Sequence, residues 1–177
     1  GRSTDLATEY PDNLRRYVAE IRAAGAHPVL VTPLTRRQFE DGVLVGDLAP
    51  WAEATRTVAR ELDVTLVDLH ARSRALVQGM GPVLAMRAAQ RPAAPEQVTA
   101  AQAGTTIGTP ASAAPATPAA TTAQTVAQDN AAAEPMGQAK LAFDYTHLGP
   151  EGAALFAAIV ADELAQQVPA LRHNLIP

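Results

Sequence analysis

Residues 27–33 read HPVLVTP and residues 64–69 read VTLVDL. Both are short, β-branched apolar runs of strand length, one closed by prolines and the other by an acid. Neither alternates apolar with polar, so each predicts a strand buried on both faces, as in a parallel sheet. Between them, Pro50 to Leu62 places Trp51, Thr55, Val58 and Leu62 along one stripe, which predicts a helix; the connecting stretch 34–49 reads as a loop. Upstream, Tyr10 to Ala24 carries Tyr10, Leu14, Tyr17, Val18 and Ile21 on one face, with Pro11 in its first turn and Gly25 at its end. Helix, strand, helix, strand at these lengths is a βαβ unit with a parallel strand pair.

Further out, a third helix is expected from about His70 to Met80, stopped by Gly81 and Pro82. Composition then shifts. Residues 84–138 are dominated by Ala, Thr, Pro and Gln, with no charged residue from 97 to 128. Such a segment offers too little apolar surface to offset its ordering entropy and reads as a flexible insertion, with room for helical patches where Ala clusters. Pro150 to Val168 is again a helix, with Leu155, Phe156, Ile159, Val160 and Leu164 inside and Asp162, Glu163, Gln166 and Gln167 outside, stopped by Pro169. One domain is thus expected in three parts: 1–83, the insertion 84–138, and 139–177. Two parallel strands cannot close a core by themselves, so further strands are expected from a segment other than these 177 residues.

The net charge of −4 gives a nucleic-acid partner no electrostatic support. There is no Cys, which removes disulfides, thiol catalysis and thiolate metal sites and leaves the compartment open. The sequence contains no apolar run of membrane-spanning length, and GRSTDLATEY at residues 1–10 reads as neither signal peptide nor anchor, so no membrane partner is expected. Lys140 is the only lysine among 14 basic residues.

The chemistry concentrates in FDYTHLGPEGAALFAAIV, residues 143–160. Asp144 and His147 stand three apart in a polar turn that runs into Gly149, Pro150 and the last helix. At that spacing a carboxylate can fix the tautomer of an imidazole and support its protonated form, as a general base for acyl transfer requires. The residues alone equally allow an Asp that caps the turn beside a surface His. Elsewhere, Asp68 and His70 close the second strand, where an Asp is expected to cap the next helix. Ser73 reads as helix packing, and His27 and His173 have no partner in sequence with which to build a metal site.

Three segments, YPDNLRRYVAEIRAAGAHPVLVTPLTRRQF, ARELDVTLVDLHARS and DYTHLGPEGAALFAAIVADEL, resemble the last part of the SGNH (GDSL-type) hydrolases, in the rhamnogalacturonan acetylesterase branch. The resemblance covers residues 8–83 and 141–172 and leaves 84–138 unmatched. It implies an α/β fold, a three-layer α/β/α flavodoxin-like parallel sheet, and hydrolysis of O-acetyl esters on a plant cell-wall polysaccharide without metal or organic cofactor. Asp144 and His147 fall on the family's Asp-x-x-His block, with His147 as general base and Asp144 orienting it. The family's Ser block and its oxyanion-hole Gly and Asn precede the matched region, so the nucleophile is expected from a missing N-terminal segment, and the chain alone is expected to be inactive. Ser3, in GRST, lacks the preceding strand of the Ser block. Arg36 and Arg37, past the first strand, are candidates to meet carboxylates of an acidic polysaccharide, or else form a solvated face bridged to Glu40 or Asp41. The resemblance points to a secreted or periplasmic setting. Two rival readings are a non-catalytic carbohydrate-binding or scaffold module on the same fold and a nucleotide-binding flavodoxin-like protein. Neither strand is followed by the Gly-rich phosphate loop that the second would need.

Overall fold

The computed structural model describes residues 4–106 and 142–175. In chain order the elements are α1 (Glu9–Ala23), β1 (Val29–Val31), β2 (Phe39–Glu40), β3 (Val43–Leu44), α2 (Ala49–Glu61), β4 (Thr65–Val67), α3 (Leu69–Ala85), a 3₁₀ turn (Met86–Ala88), α4 (Pro95–Gln102), α5 (Pro150–Gln167) and a closing 3₁₀ turn (Pro169–Asn174). β1 and β4 pair in parallel, Val29 with Thr65, Leu30 with Leu66 and Val31 with Val67. With α2 between them they form the expected βαβ unit.

α2 packs on both strands and against α1, while α5 packs on β4. Val18, Ala52, Val58, Ala59 and Val67 are buried among these elements. At the α1–α2 contact, Tyr10 donates to or accepts from Thr55 Oγ1 at 2.9 Å, and its ring meets Trp51 edge-on with centroids 4.9 Å apart. Burial of the strands on both faces is not realised for β1. Val31 is 45% exposed, because the sheet of the described residues has two strands and β1 forms its edge. Tyr17 and Ile21, on the expected inner stripe of α1, are exposed as well.

Three further departures follow from contacts that periodicity does not reveal. Residues 34–49 hold a small antiparallel hairpin, β2 with β3, rather than a plain loop. Its turn is Asp41-Gly42, both at positive φ (49° and 77°), the dipeptide that a tight two-residue hairpin favours. Gln78 of α3 receives Leu44 N–H at 2.8 Å and donates to Gly42 O at 2.9 Å, tying the hairpin down. Glu163, expected outside, is buried and receives Arg72 Nη1 at 2.7 Å, an α3–α5 ion pair. α3 is interrupted where expected, at Gly81 (φ 72°) and Pro82, but resumes to Ala85.

Residues 84–106, which composition assigns to the insertion, are packed. Ala85 and Ala88 join Phe39, Leu44, Val77 and Phe156 in one buried cluster, and Met86 and Ala101 join Tyr145 in another. Gly42 N–H donates to Gly104 O and Thr106 N–H to Phe39 O, at 2.8 and 3.0 Å, so 104–106 line the hairpin. Small Ala side chains permit close backbone approach, which low aromatic content does not forbid. The remainder of the expected insertion, 107–138, lies outside the described residues, as do 139–141. Among the described residues no helix is long and apolar enough to cross a membrane.

Candidate active site

Residues 142–149 turn the chain tightly into α5, with Gly149 as the cap and Pro150 as its first residue. The turn is shaped by one carboxylate. Asp144 Oδ1 accepts Thr146 N–H at 2.7 Å and His147 N–H at 2.6 Å, the local side-chain-to-backbone pattern that makes Asp a turn former. Oδ2 is left to face the imidazole, 2.9 Å from His147 Nδ1. Burial by itself pushes the Asp144 carboxyl upward. The backbone N–H groups of His147 and Thr146, and the His147 ring, outweigh that and hold it below the ordinary carboxylate range. Asp144 therefore stays charged at neutral pH. In the neutral imidazole, an Nδ1–H donated to it leaves the lone pair on Nε2. The His147 side chain is 47% exposed against 15% for Asp144, so the ring presents to solvent while its partner is sheltered.

Two buried residues hold this turn from below. Tyr145, 2% exposed, packs with Met86 and Ala101 and meets the Phe143 ring edge-on at 4.9 Å. Arg37, 1% exposed, donates to the carbonyls of Asp144, Thr146 and His147 at 3.2, 3.3 and 2.9 Å, and its backbone N–H donates to Tyr145 O at 3.0 Å. Burial pulls the Arg37 guanidinium down to about 10, with the Asp144 charge opposing. The far side of the turn abuts the segment after α3. Ala89 and Leu148 form an isolated antiparallel bridge, and Gly149 N–H donates to Ala88 O at 2.9 Å. A Cβ at Gly149 would stand 2.5 Å from Ala89 O, so only glycine fits this approach.

The segment that delivers Arg37 is itself stitched down. Thr32 Oγ1 receives His70 N–H at 2.8 Å and donates to Asp68 Oδ1 at 3.0 Å; Ser73 Oγ receives Thr35 N–H at 3.2 Å. The fully buried Ser73 is packing, as read from sequence. Asp68 caps α3, accepting Ala71 N–H at 3.3 Å, and pairs with Arg56 at 2.8 and 2.9 Å. His70 is buried, its Nδ1 3.2 Å from Pro33 O.

The two arginines expected to act as one pair do not. Arg36 reaches solvent and bridges to Asp47 at 2.6 Å, not to Glu40 or Asp41. Arg37 turns inward, and substrate contact through its guanidinium is corrected by that burial. Sequence reasoning missed the anchoring by Arg37 and Tyr145; the available signal was a bulky aromatic set inside an otherwise polar turn. His27 and His173 are exposed, and among the described residues no three His, Asp or Glu side chains are placed to share a metal ion.

A sheltered carboxylate fixing a solvent-facing imidazole, ahead of a helix on an α/β body, is the acid–base arrangement used in hydrolytic acyl transfer. The chain is 38% identical over 80 residues to the "Probable rhamnogalacturonan acetylesterase YesY" of Bacillus subtilis (strain 168), covering 45% of this chain and 37% of that protein. It is 35% identical over 82 residues to "Rhamnogalacturonan acetylesterase RhgT" of the same organism, covering 46% and 35%. The chain thus spans little more than a third of the length of these curated relatives, and over the matched part it is similar to rhamnogalacturonan acetylesterases, the branch its residues resemble. No family model and no solved structure matches.

Proposed function

We propose that this chain carries the acid–base half of a serine esterase that removes O-acetyl groups from a pectin-type polysaccharide, within a three-layer SGNH hydrolase fold. The observation that carries the reading is the 2.9 Å contact of His147 Nδ1 with Asp144 Oδ2. The names of the two relatives supply the substrate class. In the reaction, His147 Nε2 takes the proton of a serine hydroxyl as its oxygen attacks the acetyl carbonyl, and returns it to the departing sugar alcohol as the ester bond breaks. Water then hydrolyses the acetyl-serine with the same imidazole as base. Asp144 keeps Nδ1 protonated and supports the imidazolium. Ser73 is not this nucleophile, because it is fully buried and its hydroxyl is engaged with Thr35 N–H and His70 O. The nucleophile in this reading comes from outside the described residues.

Arg36, half-buried on the strand-end side and paired with Asp47, is the candidate cation for an acidic sugar. Arg36→Ala should raise KM for the polysaccharide and leave kcat for a neutral aryl acetate unchanged. The deciding experiment measures acetate released from acetylated rhamnogalacturonan, and turnover of p-nitrophenyl acetate, by the full-length protein. His147→Ala should abolish both. Wild-type rates in that variant would remove the catalytic assignment, and polysaccharide binding without acetate release in the wild type would favour the carbohydrate-binding module instead.

A further inference from the structure

We propose that Arg37 is the positioning residue of the Asp144–His147 pair, a buried clamp that fixes the turn and thereby the direction in which His147 faces. The inference rests on the proposed role of His147 and adds to it a residue that never meets substrate.

All four consecutive carbonyls of the turn, 144 to 147, accept hydrogen bonds from this one residue: three from the guanidinium and that of Tyr145 from the Arg37 backbone N–H. The opposite edge of the same turn is held by Asp144, which takes the N–H groups of Thr146 and His147. Two side chains thus fix the backbone of the candidate dyad from both sides.

The choice of arginine is costly in other terms. The side chain is 1% exposed, and its guanidinium forms no direct ion pair among the described residues; the Asp144 charge favours it without outweighing the cost of burial. Simple filling of space would be better served by an apolar residue of the same volume. What an apolar residue lacks, and a lysine has only in part, is a rigid planar fork able to reach three carbonyls at once. A turn held this way keeps its imidazole in one orientation. Misplacing a catalytic group by about 1 Å costs on the order of 10²-fold in rate.

The test uses Arg37→Met and Arg37→Lys in the full-length protein, with kinetics, thermal melts, and NMR of the Asp144 carboxyl carbon and the His147 Nδ1 proton. The expected result is a kcat lower on the order of 10²-fold with KM within about twofold, in protein that remains folded. The Asp144 carboxyl should titrate nearer the ordinary carboxylate value in Arg37→Met, through the loosened N–H groups and the lost charge together; in Arg37→Lys, which keeps the charge, an upward shift that remains reports the loosened turn alone. Arg37→Lys should recover part of both changes. The proposal is overturned if activity falls only in step with the folded fraction, or if Asp144 titrates and the His147 proton resonates as in wild type. Should Arg37→Met fail to fold, Arg37→Lys carries the same readouts. If His147→Ala proves fully active, the esterase reading falls, while the Asp144 titration in the charge-keeping Arg37→Lys still decides whether the clamp exists.

Discussion

The molecule contains two turns in which an aspartate and a histidine stand close together at the entry to a helix, and they have opposite fates. At the end of β4, Asp68 spends its carboxylate on Arg56, Thr32 and the first turn of α3, and His70 is sealed under the surface against Pro33 O. Before α5, Asp144 holds its own turn with one oxygen and the imidazole of His147 with the other, leaving the ring in solvent. Residue types do not distinguish the two. What distinguishes them is which neighbours compete for the carboxylate: a cation and a helix N-terminus claim Asp68, whereas among the described residues the hydrogen bond to Asp144 Oδ2 is that of the histidine.

If this contrast is functional, substitutions at the two turns should move different quantities. The largest effect is expected at the second turn. In the full-length protein, loss of the base in His147→Ala should lower kcat on the order of 10⁶-fold, and Asp144→Asn, which favours the wrong tautomer, about 10⁴-fold. Steady-state kinetics at saturating substrate checks both. Comparable losses from a folded His70→Gln would erase the distinction between the turns.

Next comes Asp68→Ala, which should leave kcat intact and lower stability by about 1–2 kcal/mol, through loss of the cap and of a partly exposed charged pair. For a chain of this size that is a fall of about 2–8 °C in Tm. Burial pushes the Asp68 carboxyl up, but Arg56, Ala71 N–H and Thr32 outweigh it, and the net shift is downward. A depressed folded-state value means the contribution is complete above the ordinary carboxylate range and disappears as pH falls through the folded value. The wild-type advantage over Asp68→Ala should therefore shrink below about pH 4, which melts in acidic buffers would show.

The smallest effect belongs to His70. Burial, chiefly, lowers its value below the ordinary 6.5, so the unfolded chain takes up a proton that the folded one resists. Stability should then decline as pH falls below the ordinary value and level off once pH is below the folded value. His70→Gln should flatten that acid slope in a plot of Tm against pH. A slope unchanged by the substitution would mean the buried imidazole is not its source.

The first turn was legible in outline, since a strand-final Asp before a helix is a cap by its backbone chemistry alone. The second was legible as a pair because both partners lie within one turn. The helices α1, α2 and α5 and the βαβ unit were readable for a related reason: their stripes and their Pro and Gly stops are local. The hairpin was readable in principle from Glu40-Asp41-Gly42-Val43, but the apolar runs around it are too short to register as alternation. In residues 84–106 the helical patch where Ala clusters is α4, but its packing is not legible, because composition reports how much apolar surface a segment has and not whether a neighbour is shaped to receive it; Ala88 and Ala101 bury little each and still close two clusters. Arg37 was the least accessible. Its fate depends on carbonyls more than a hundred residues downstream, and nothing in TPLTRRQF says which arginine of the pair turns inward.

Because Asp144 and His147 are held within four residues, thermal motion of the body carries them as one rigid unit. Breathing between α3, α5 and the sheet reaches the pair only through the contacts that hold the turn, chiefly the Arg37 guanidinium on its carbonyls. What such movements can alter is the reach of Nε2 toward anything beyond the turn. In a protein built this way, sensitivity to temperature or to crowded polymer should enter through distance to the reacting hydroxyl.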